Sequence, residues 1–587
     1  MKKSNLRNRA LLEMAIVLAL LIAGNYISSR VFHRFDFTKE KRYTLSEASK
    51  HLAGDLDDVF YVKVFLDGDD LPAAYKNLRN ATKEMLDEFR YASNGNIEYE
   101  IYNPLEGLKG DELRNVLVEL NQKGLQVTDL YEKTNDGSRQ KLIVPGALVY
   151  YKGAEYPMHL IDPSMTVNNP ATLNKAVEGL EFTIANTIRR CVMGERKSVA
   201  FMSGHGELPD AQLLDAKTLL EEYYIVDRMN LNFDDSAFYG QILEELKGVR
   251  EDSLAFAVDR LIKKKLNSYD AIIFAKPRIT FAEREKYWID QYIMHGGKVL
   301  WMIDPLLIEE DSLMRYGKVY TIDYDLNLTD LLFKYGVRVN LDVVQDYNSL
   351  IVPFAREGGG IDPKPWYYFP VVPSMNNHAI NRNLDLTWLQ YPATIDTVGS
   401  PTLKKTVLLQ STSLSRVSNH PAEIDLQIVR RPPAEGYFGD KYEPLAVLVE
   451  GQFESPYKLA NRKELDPEKT FIGSVDNGKM IVIGDGDLMA NLVRKNGQYY
   501  PAGYDRLSKK TFANRQFFMN CMDYLVDDYG LIEVRNKDIQ LRLLDKDKIN
   551  LPKEENKWKV LNMVLPIVLI LVFGLINGFI RKRKYER

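Results

Sequence analysis

The sequence predicts an α/β protein whose soluble body is held between two membrane helices. Three observations predict it. Short apolar runs such as Ser198–Ser203 (SVAFMS), Ala271–Phe274 (AIIF) and Lys298–Ile303 (KVLWMI) alternate with stretches of helical spacing, the order of a helix-covered, doubly wound parallel sheet. An uncharged run, Val560–Ile580, lies near the end of the chain, and a shorter apolar run lies near its start. Between them the composition is that of a water-soluble protein, 27% charged and 45% hydrophobic. The 587 residues exceed a single domain, and the formal net charge of -4 carries no nucleic-acid signal.

The elements follow in order. Residues 1–9 are a basic tail with Lys2, Lys3, Arg7 and Arg9. Residues 10–28 read as an uncleaved anchor, because the apolar stretch outruns a usual signal core and no small-x-small cleavage site follows; a cleaved signal peptide is the alternative. The positive end is N-terminal, which keeps that terminus in the cytoplasm. Glu13 lies inside this run. It either snorkels to the interface or meets another membrane subunit.

Residues 29–195 read as a thioredoxin-like periplasmic domain. A charged segment leads to Ser46 as a helix cap. Val59–Leu66 is a strand, Tyr75–Tyr91 a helix, Ile97–Tyr102 a strand and Glu112–Leu120 a helix. Ala147–Tyr151 and Tyr156–Ile161 form a hairpin about Lys152-Gly153, and Ala171–Val192 is one long closing helix. There is no CxxC, which excludes thioredoxin redox chemistry. Cys191 and Cys521 each fall in a predicted helix. They read as buried apolar side chains, with one disulfide between them as the alternative.

Residues 196–350 begin the doubly wound, amidotransferase-like domain. Residues 351–442, rich in Pro, Asn and aromatics, read as a loop-rich insertion with edge strands. Residues 443–530 complete the domain with the strands Pro444–Phe453 and Lys479–Ile483 and the helix Phe512–Leu525. Residues 531–557 read as an extended segment and charged linker. Residues 558–580 read as a membrane helix, with Trp558 at one interface and the basic tail 581–587 (Arg581-Lys582-Arg583-Lys584 leading it) on the cytoplasmic side. Both anchors therefore agree, placing both termini in the cytoplasm and the body in the periplasm.

Few motifs carry chemistry. Gly473 to Lys479 fits GxxxxGK, but Met480 stands where a Ser or Thr would hold magnesium and a strand follows where a helix is needed. Asp476-Asn477-Gly478 reads instead as a tight hairpin turn. Gly204-His205-Gly206-Glu207 stands at a strand's carboxyl end, where open α/β sheets bind ligands. His205 and Glu207 could hold a metal or move protons; alternatively the glycines serve a turn and the polar side chains brace the next loop. Asp485 and Asp487 either face the same candidate crevice or cap the next helix. The strand ending Phe274-Ala275-Lys276-Pro277 has no nucleophile where an amidotransferase would carry one.

Taken in order, these segments resemble a known family. They are Phe35-Asp36-Phe37-Thr38 through Arg42-Tyr43-Thr44-Leu45-Ser46, Phe201-Met202-Ser203-Gly204-His205-Gly206-Glu207, Tyr335-Gly336-Val337, Val343-Val344-Gln345-Asp346 and Ile483-Gly484-Asp485-Gly486-Asp487. With the two anchors, they are similar to the auxiliary, or substrate-binding, subunit of the gliding-motility-associated ABC transporter of Bacteroidota, the GldG family. The resemblance covers nearly the whole chain. It implies a non-catalytic inner-membrane subunit working with an ABC permease and a separate cytoplasmic ATPase. It also implies a middle domain similar to one shared with an intraflagellar transport protein. It brings no catalytic residue, cofactor or metal. An envelope enzyme acting on glycan or through a metal at His205 and Glu207 is the alternative expectation, and a scaffold that holds envelope proteins is the second.

Overall fold

In the computed structural model the described residues are 16, 44–527, 530 and 552–585, apart from 69–70, 126, 135–136, 162–169, 193–195, 233–235, 356–359, 375–377, 383, 400–401, 431–432, 460–464, 467–468 and 495–498. The chain forms two compact units, one of residues 43–537 and one of residues 1–42 with 538–587. Apart from Ile16, the expected N-terminal tail and anchor with Glu13, the segment 35–43 and the extended stretch 531–551 lie outside the described residues.

The soluble unit opens with α1 (Glu47–Gly54), capped where Ser46 Oγ accepts the Ser49 N–H. Then come β1 (Phe60–Val64), α2 (Ala73–Ala92), β2 (Ile97–Ile101), α3 (Gly110–Gln122), the hairpin β3 (Thr128–Thr134) and β4 (Gly137–Ile143), β5 (Gly146–Tyr151) and β6 (Ala154–His159). The sheet order is β2-β1-β5-β6, with β1 parallel to β2 and antiparallel to β5. Strand alternation sends Val62, Ala147 and Val149 to one face, under Leu78, Phe89, Ile184 and Ile188. Leu148 points to the other face, with Phe65 and Leu120. The β3–β4 hairpin carries no strong apolar alternation and was not predicted. The single helix expected over 171–192 is two, α4 (Pro170–Glu178) and α5 (Leu180–Val192), divided at Gly179.

The larger lobe continues with β7 (Ser198–Ser203), α6 (Leu214–Glu221), β8 (Ile225–Asn230), α7 (Ser236–Glu245), α8 (Glu251–Leu266), β9 (Ala271–Ala275), α9 (Glu283–Met294), β10 (Lys298–Met302), α10 (Glu310–Tyr316) and α11 (Thr329–Lys334). It then forms β11 (Asp342–Asp346), β12 (Ser349–Ala355), β13 (Ile361–Val372), β14 (Leu403–Gln410), β15 (Ser415–Asn419), β16 (Pro444–Glu454), β17 (Ser474–Ile483) and α12 (Asn514–Val526). Seven strands pair in the order β14-β16-β17-β10-β9-β7-β8. The sheet is mixed rather than wholly parallel. β8, β7, β9, β10 and β17 run parallel, whereas at one edge β16 pairs antiparallel with β17 and β14 pairs antiparallel with β16. An apolar run reports burial on both faces and says nothing about direction. One face packs on α6 and α12, the other on α8, α9 and α11.

Three further expectations are corrected. Asp476-Asn477-Gly478 is not a hairpin turn but lies inside β17. Gly478 pairs with Gly451 across a bulge, and a Cβ there would come within 2.5 Å of the Phe453 ring, so the glycine makes room for a cross-strand aromatic. The stretch 351–442 is richer in strand than expected. β12 and β13 pair antiparallel, and Trp366, Tyr368 and Ile424 join Leu306, Leu313 and Val343 in a separate small core. The C-terminal helix α13 (Pro552–Tyr585) starts inside the expected linker and runs on into the basic tail. Its segment Lys557–Ile580, 24 residues, is long and apolar enough to cross a membrane, about 36 Å at 1.5 Å per residue. Cys191 in α5 and Cys521 in α12 are free, buried thiols. Burial pushes Cys191 up to about 12 and Cys521 well above its ordinary value.

Candidate functional site

The polar residues gather at the carboxyl ends of β7, β9, β10 and β17, in two groups. The first follows β7. Gly204 turns the chain with φ +107, and a Cβ there would lie 2.2 Å from Asn230 Oδ1, so only glycine fits. His205 is thereby folded inward and is fully buried. Its ring stacks on Phe281 with centroids 3.8 Å apart. Its Nε2 lies 2.9 Å from Glu285 Oε2, an oxygen that also accepts the Ala282 N–H at the start of α9. The His205 N–H donates to Glu207 Oε2 at 2.7 Å, while its carbonyl accepts the N–H groups of Arg278 and Ile279. Burial raises the Glu207 carboxyl above its usual range. His205 Nδ1 and Glu207 Oε1 face one another at 3.8 Å, beyond hydrogen-bond reach, and neither has another partner among the described residues.

The second group centres on Lys276, which ends β9 in the left-handed region at φ +57. Its ammonium lies 2.8 Å from Asp304 and also pairs with Asp487. Asp304 follows β10 and accepts the Gly486 N–H. A Cβ on Gly486 would lie 2.7 Å from the Lys276 side chain, so this glycine lets the loop after β17 close over the ion pair. Asp485 accepts the N–H groups of Gln390 and Asp487. Burial opposes the charge of Lys276, but the combined pull of Asp304 and Asp487 outweighs it and the pKa is raised. Burial holds Asp485 well above the usual carboxylate range, reinforced by the negative charges of Asp304 and Asp487.

The structure thus brings the four expected soluble-site residues together as pairs, His205 with Glu207 and Asp485 with Asp487. The segment 276–279 lies between, bonding the first pair through Arg278 and Ile279 and the second through Lys276. Chemically, the first group is an enclosed imidazole between two carboxylates, and the second is a cation already seated among acids. The sequence reading missed Lys276, Asp304 and Glu285. For the first two a signal was present: each is a charged residue between an apolar strand and a proline, in Lys276-Pro277 and Asp304-Pro305.

Residues 196–521 match a protein family described as an ABC-type uncharacterized transport system, and residues 39–150 match a domain of unknown function. A protein of Borreliella burgdorferi described only as uncharacterized is 21% identical over 590 residues, 98% of each chain. Among solved structures, the mmIFT52 N-terminal domain aligns over 56% of this chain and 98% of its own, at 15% identity and a TM-score of 0.31. An exo-beta-1,4-mannosidase of an Opitutaceae bacterium aligns over 70% of this chain and 46% of its own, at 11% identity and a TM-score of 0.17. Neither structural likeness is close enough to assign a fold.

Proposed function

The chain belongs to the family of auxiliary components of ABC-type transport systems, and from that premise we propose that it is a non-catalytic, membrane-anchored coupling or substrate-binding subunit of such a transporter. The observation that carries this reading is the family match itself, which spans the seven-stranded sheet from β7 into α12. The apolar helix Lys557–Ile580 supplies a membrane association consistent with it. In the finer reading, an N-terminal anchor over residues 10–28 pairs with this helix, both termini are cytoplasmic, and the soluble unit is periplasmic at the inner membrane. An ABC permease and a separate ATPase are its partners, and gliding motility or envelope transport is its setting, as in the GldG family of Bacteroidota. The order β2-β1-β5-β6 supports a thioredoxin-like first domain over 29–195, and the five parallel strands support an amidotransferase-like second one.

The mechanism is mechanical. Movement of the permease driven by the ATPase shifts the anchors, and the soluble unit senses or passes on that shift. The enclosure of His205 and Glu207 weighs against the alternative of an envelope enzyme acting there on glycan or through a metal. The test is purification of the intact protein from native membranes in mild detergent. A multi-span permease and a P-loop ATPase in fixed ratio are expected; the protein alone, or bound only to envelope glycan, would overturn the reading.

A further inference from the structure

The turn after β7 is joined to the turn after β9 by main-chain bonds. The His205 carbonyl accepts the N–H groups of Arg278 and Ile279 at 2.7 and 2.9 Å, and the Leu208 N–H donates to the Ala275 carbonyl at 2.9 Å. A Cβ on Gly206, at φ +73, would lie 3.3 Å from the Arg278 side chain, so the two turns touch. This closure lies at the carboxyl ends of β7 and β9, where open α/β folds admit ligands. Within it, the His205 ring stands between two carboxylates. Glu285 Oε2 is 2.9 Å from Nε2, and Glu207 Oε1 is 3.8 Å from Nδ1. The three side chains are at most 2% exposed, so their polar atoms must be satisfied by one another and by neighbouring main chain.

One proton is missing from this arrangement. Each of the two ring contacts needs a proton between nitrogen and oxygen. A neutral imidazole brings one, whichever nitrogen carries it, and an ionised carboxylate brings none. With both acids ionised, one contact is therefore two acceptors face to face. That contact is Nδ1 with Glu207 Oε1: the two atoms stand beyond hydrogen-bond reach, and neither has another partner among the described residues. Buried acceptors without a donor are costly. A further proton turns the repulsive contact into a hydrogen bond and removes one of the two enclosed negative charges. The surroundings favour it. Burial raises the Glu207 carboxyl above its usual range, against the pull of the nearby main-chain N–H groups, the imidazole and Arg228. Arg228, on β8, is itself engaged by Asp210 Oδ1 at 2.7 Å and by the Leu208 carbonyl at 2.8 Å. Phe281 covers the imidazole face and carries no charge. The acids flank opposite ring nitrogens, so the three groups do not converge on a point where one ion could sit.

We propose that His205 and Glu207 share one buried proton between Nδ1 and Oε1, and that this proton latches the turn after β7 to the turn after β9. When the proton leaves, an enclosed carboxylate faces a lone pair, and the turn that carries both groups is driven away from residues 278 and 279. A carboxyl that holds its proton more tightly when folded adds stability that is full below its unfolded pKa, about 4.3, and lost as pH rises through the folded value. The latch is therefore shut on the acid side and loosened on the alkaline side. This goes beyond the transporter reading and does not rest on it.

The test compares the unaltered full chain with Glu207→Gln in detergent micelles, by hydrogen–deuterium exchange across pH with each rate referred to its intrinsic value. The glutamine oxygen accepts the His205 N–H as Glu207 does, while its own N–H faces Nδ1 as a permanent donor. In the unaltered protein the amides of Arg278 and Ile279 are expected to lose protection several-fold as pH rises above the ordinary carboxylate range. In Glu207→Gln they are expected to stay protected throughout. The other buried acids of this lobe are the same in both proteins, so the difference isolates this pair. Equal pH dependence in the two proteins, or none in the unaltered one, would overturn the proposal. Should Glu207→Gln fail to fold, nitrogen NMR of the unaltered chain with labelled histidine replaces it. A ring with both nitrogens engaged by protons, losing one over the pH range in which the two amides open, supports the latch; ring signals without that change overturn it.

Discussion

The two lobes of the soluble unit bury different things. Around the four-stranded sheet the interior is Leu52, Phe60, Val62, Leu78, Phe89, Ile97 and Val149, with Glu181 the one acid among the described buried residues. The interior of the larger lobe is studded with acids that clip distant loops. Asp290 accepts from Tyr335 and Ser455, Asp342 accepts both the N–H and the hydroxyl of Thr394, and Asp346 does the same for Thr412. Regular elements around a small sheet close by apolar area alone. The larger lobe must also hold long irregular connections, whose backbone N–H groups need acceptors once they leave water. Buried carboxylates meet that need, and they make this lobe more sensitive to charge than the smaller one.

The largest expected effect is at the ion cluster. Lys276→Met leaves Asp304, Asp485 and Asp487 facing one another without a cation, and should destabilise the larger lobe by about 3–5 kcal/mol. Denaturant unfolding should show a greater loss at pH 8 than at pH 5.5, because protonation relieves the repulsion. Phe89→Ala in the smaller lobe should cost a similar ~3–5 kcal/mol by cavity formation, but equally at both pH values. Equal pH dependence of the two variants would dissolve the contrast.

The unaltered protein sharpens it further. Burial holds Asp290, Asp342 and Asp346 above their ordinary pKa, and it does so for Asp485 together with the neighbouring charges. A carboxyl raised in the folded state adds stability that is fully present below its unfolded pKa, about 3.9, and lost as pH rises through the folded value. The shifted acids of the smaller lobe, Glu47 and Asp57, run the other way. They are lowered, Glu47 by bonding to Lys50 and Asp57 by bonding to Lys152 and Tyr151, so their contribution is lost only under stronger acid. Hydrogen exchange should therefore quicken in the larger lobe as pH rises above the ordinary carboxylate range, beyond the intrinsic pH effect, and stay level in the smaller. Thr394→Val, removing one hydroxyl from Asp342, should cost about 1–2 kcal/mol. Lys247→Ala, breaking the exposed pair with Glu244, should change thermal unfolding by nothing measurable.

Much of this architecture was legible. The core strands β1, β2, β5, β7, β9, β10 and β17 each announced themselves by apolar runs or alternation, and the C-terminal helix by length and lack of charge. Direction was not legible. Pro444–Phe453 reads equally well as a parallel or an antiparallel strand, because its pairing is set by a connection and not by its own residues. The helices α7 and α8 went unread, although Val258, Ile262 and Leu266 of α8 recur at i, i+4 and i+8 and are buried. The candidate site was half legible. Its acids and histidine were visible at strand ends, but their enclosure depends on Arg278, Ile279 and Gly486 closing over them, contacts that no local pattern reports. Lys276 passed as punctuation before a proline when it was the centre of the charge cluster.

The two buried thiols have a practical consequence for chemistry done on the intact chain. Cys191 and Cys521 are enclosed and hard to ionise, so neither offers a thiolate to an oxidant or an alkylating reagent while the lobes stay folded. A cysteine introduced on the surface would then react alone against a silent native background. Alkylation of the native pair would in turn serve as a clock for opening, starting only when α5 or α12 comes away from its core.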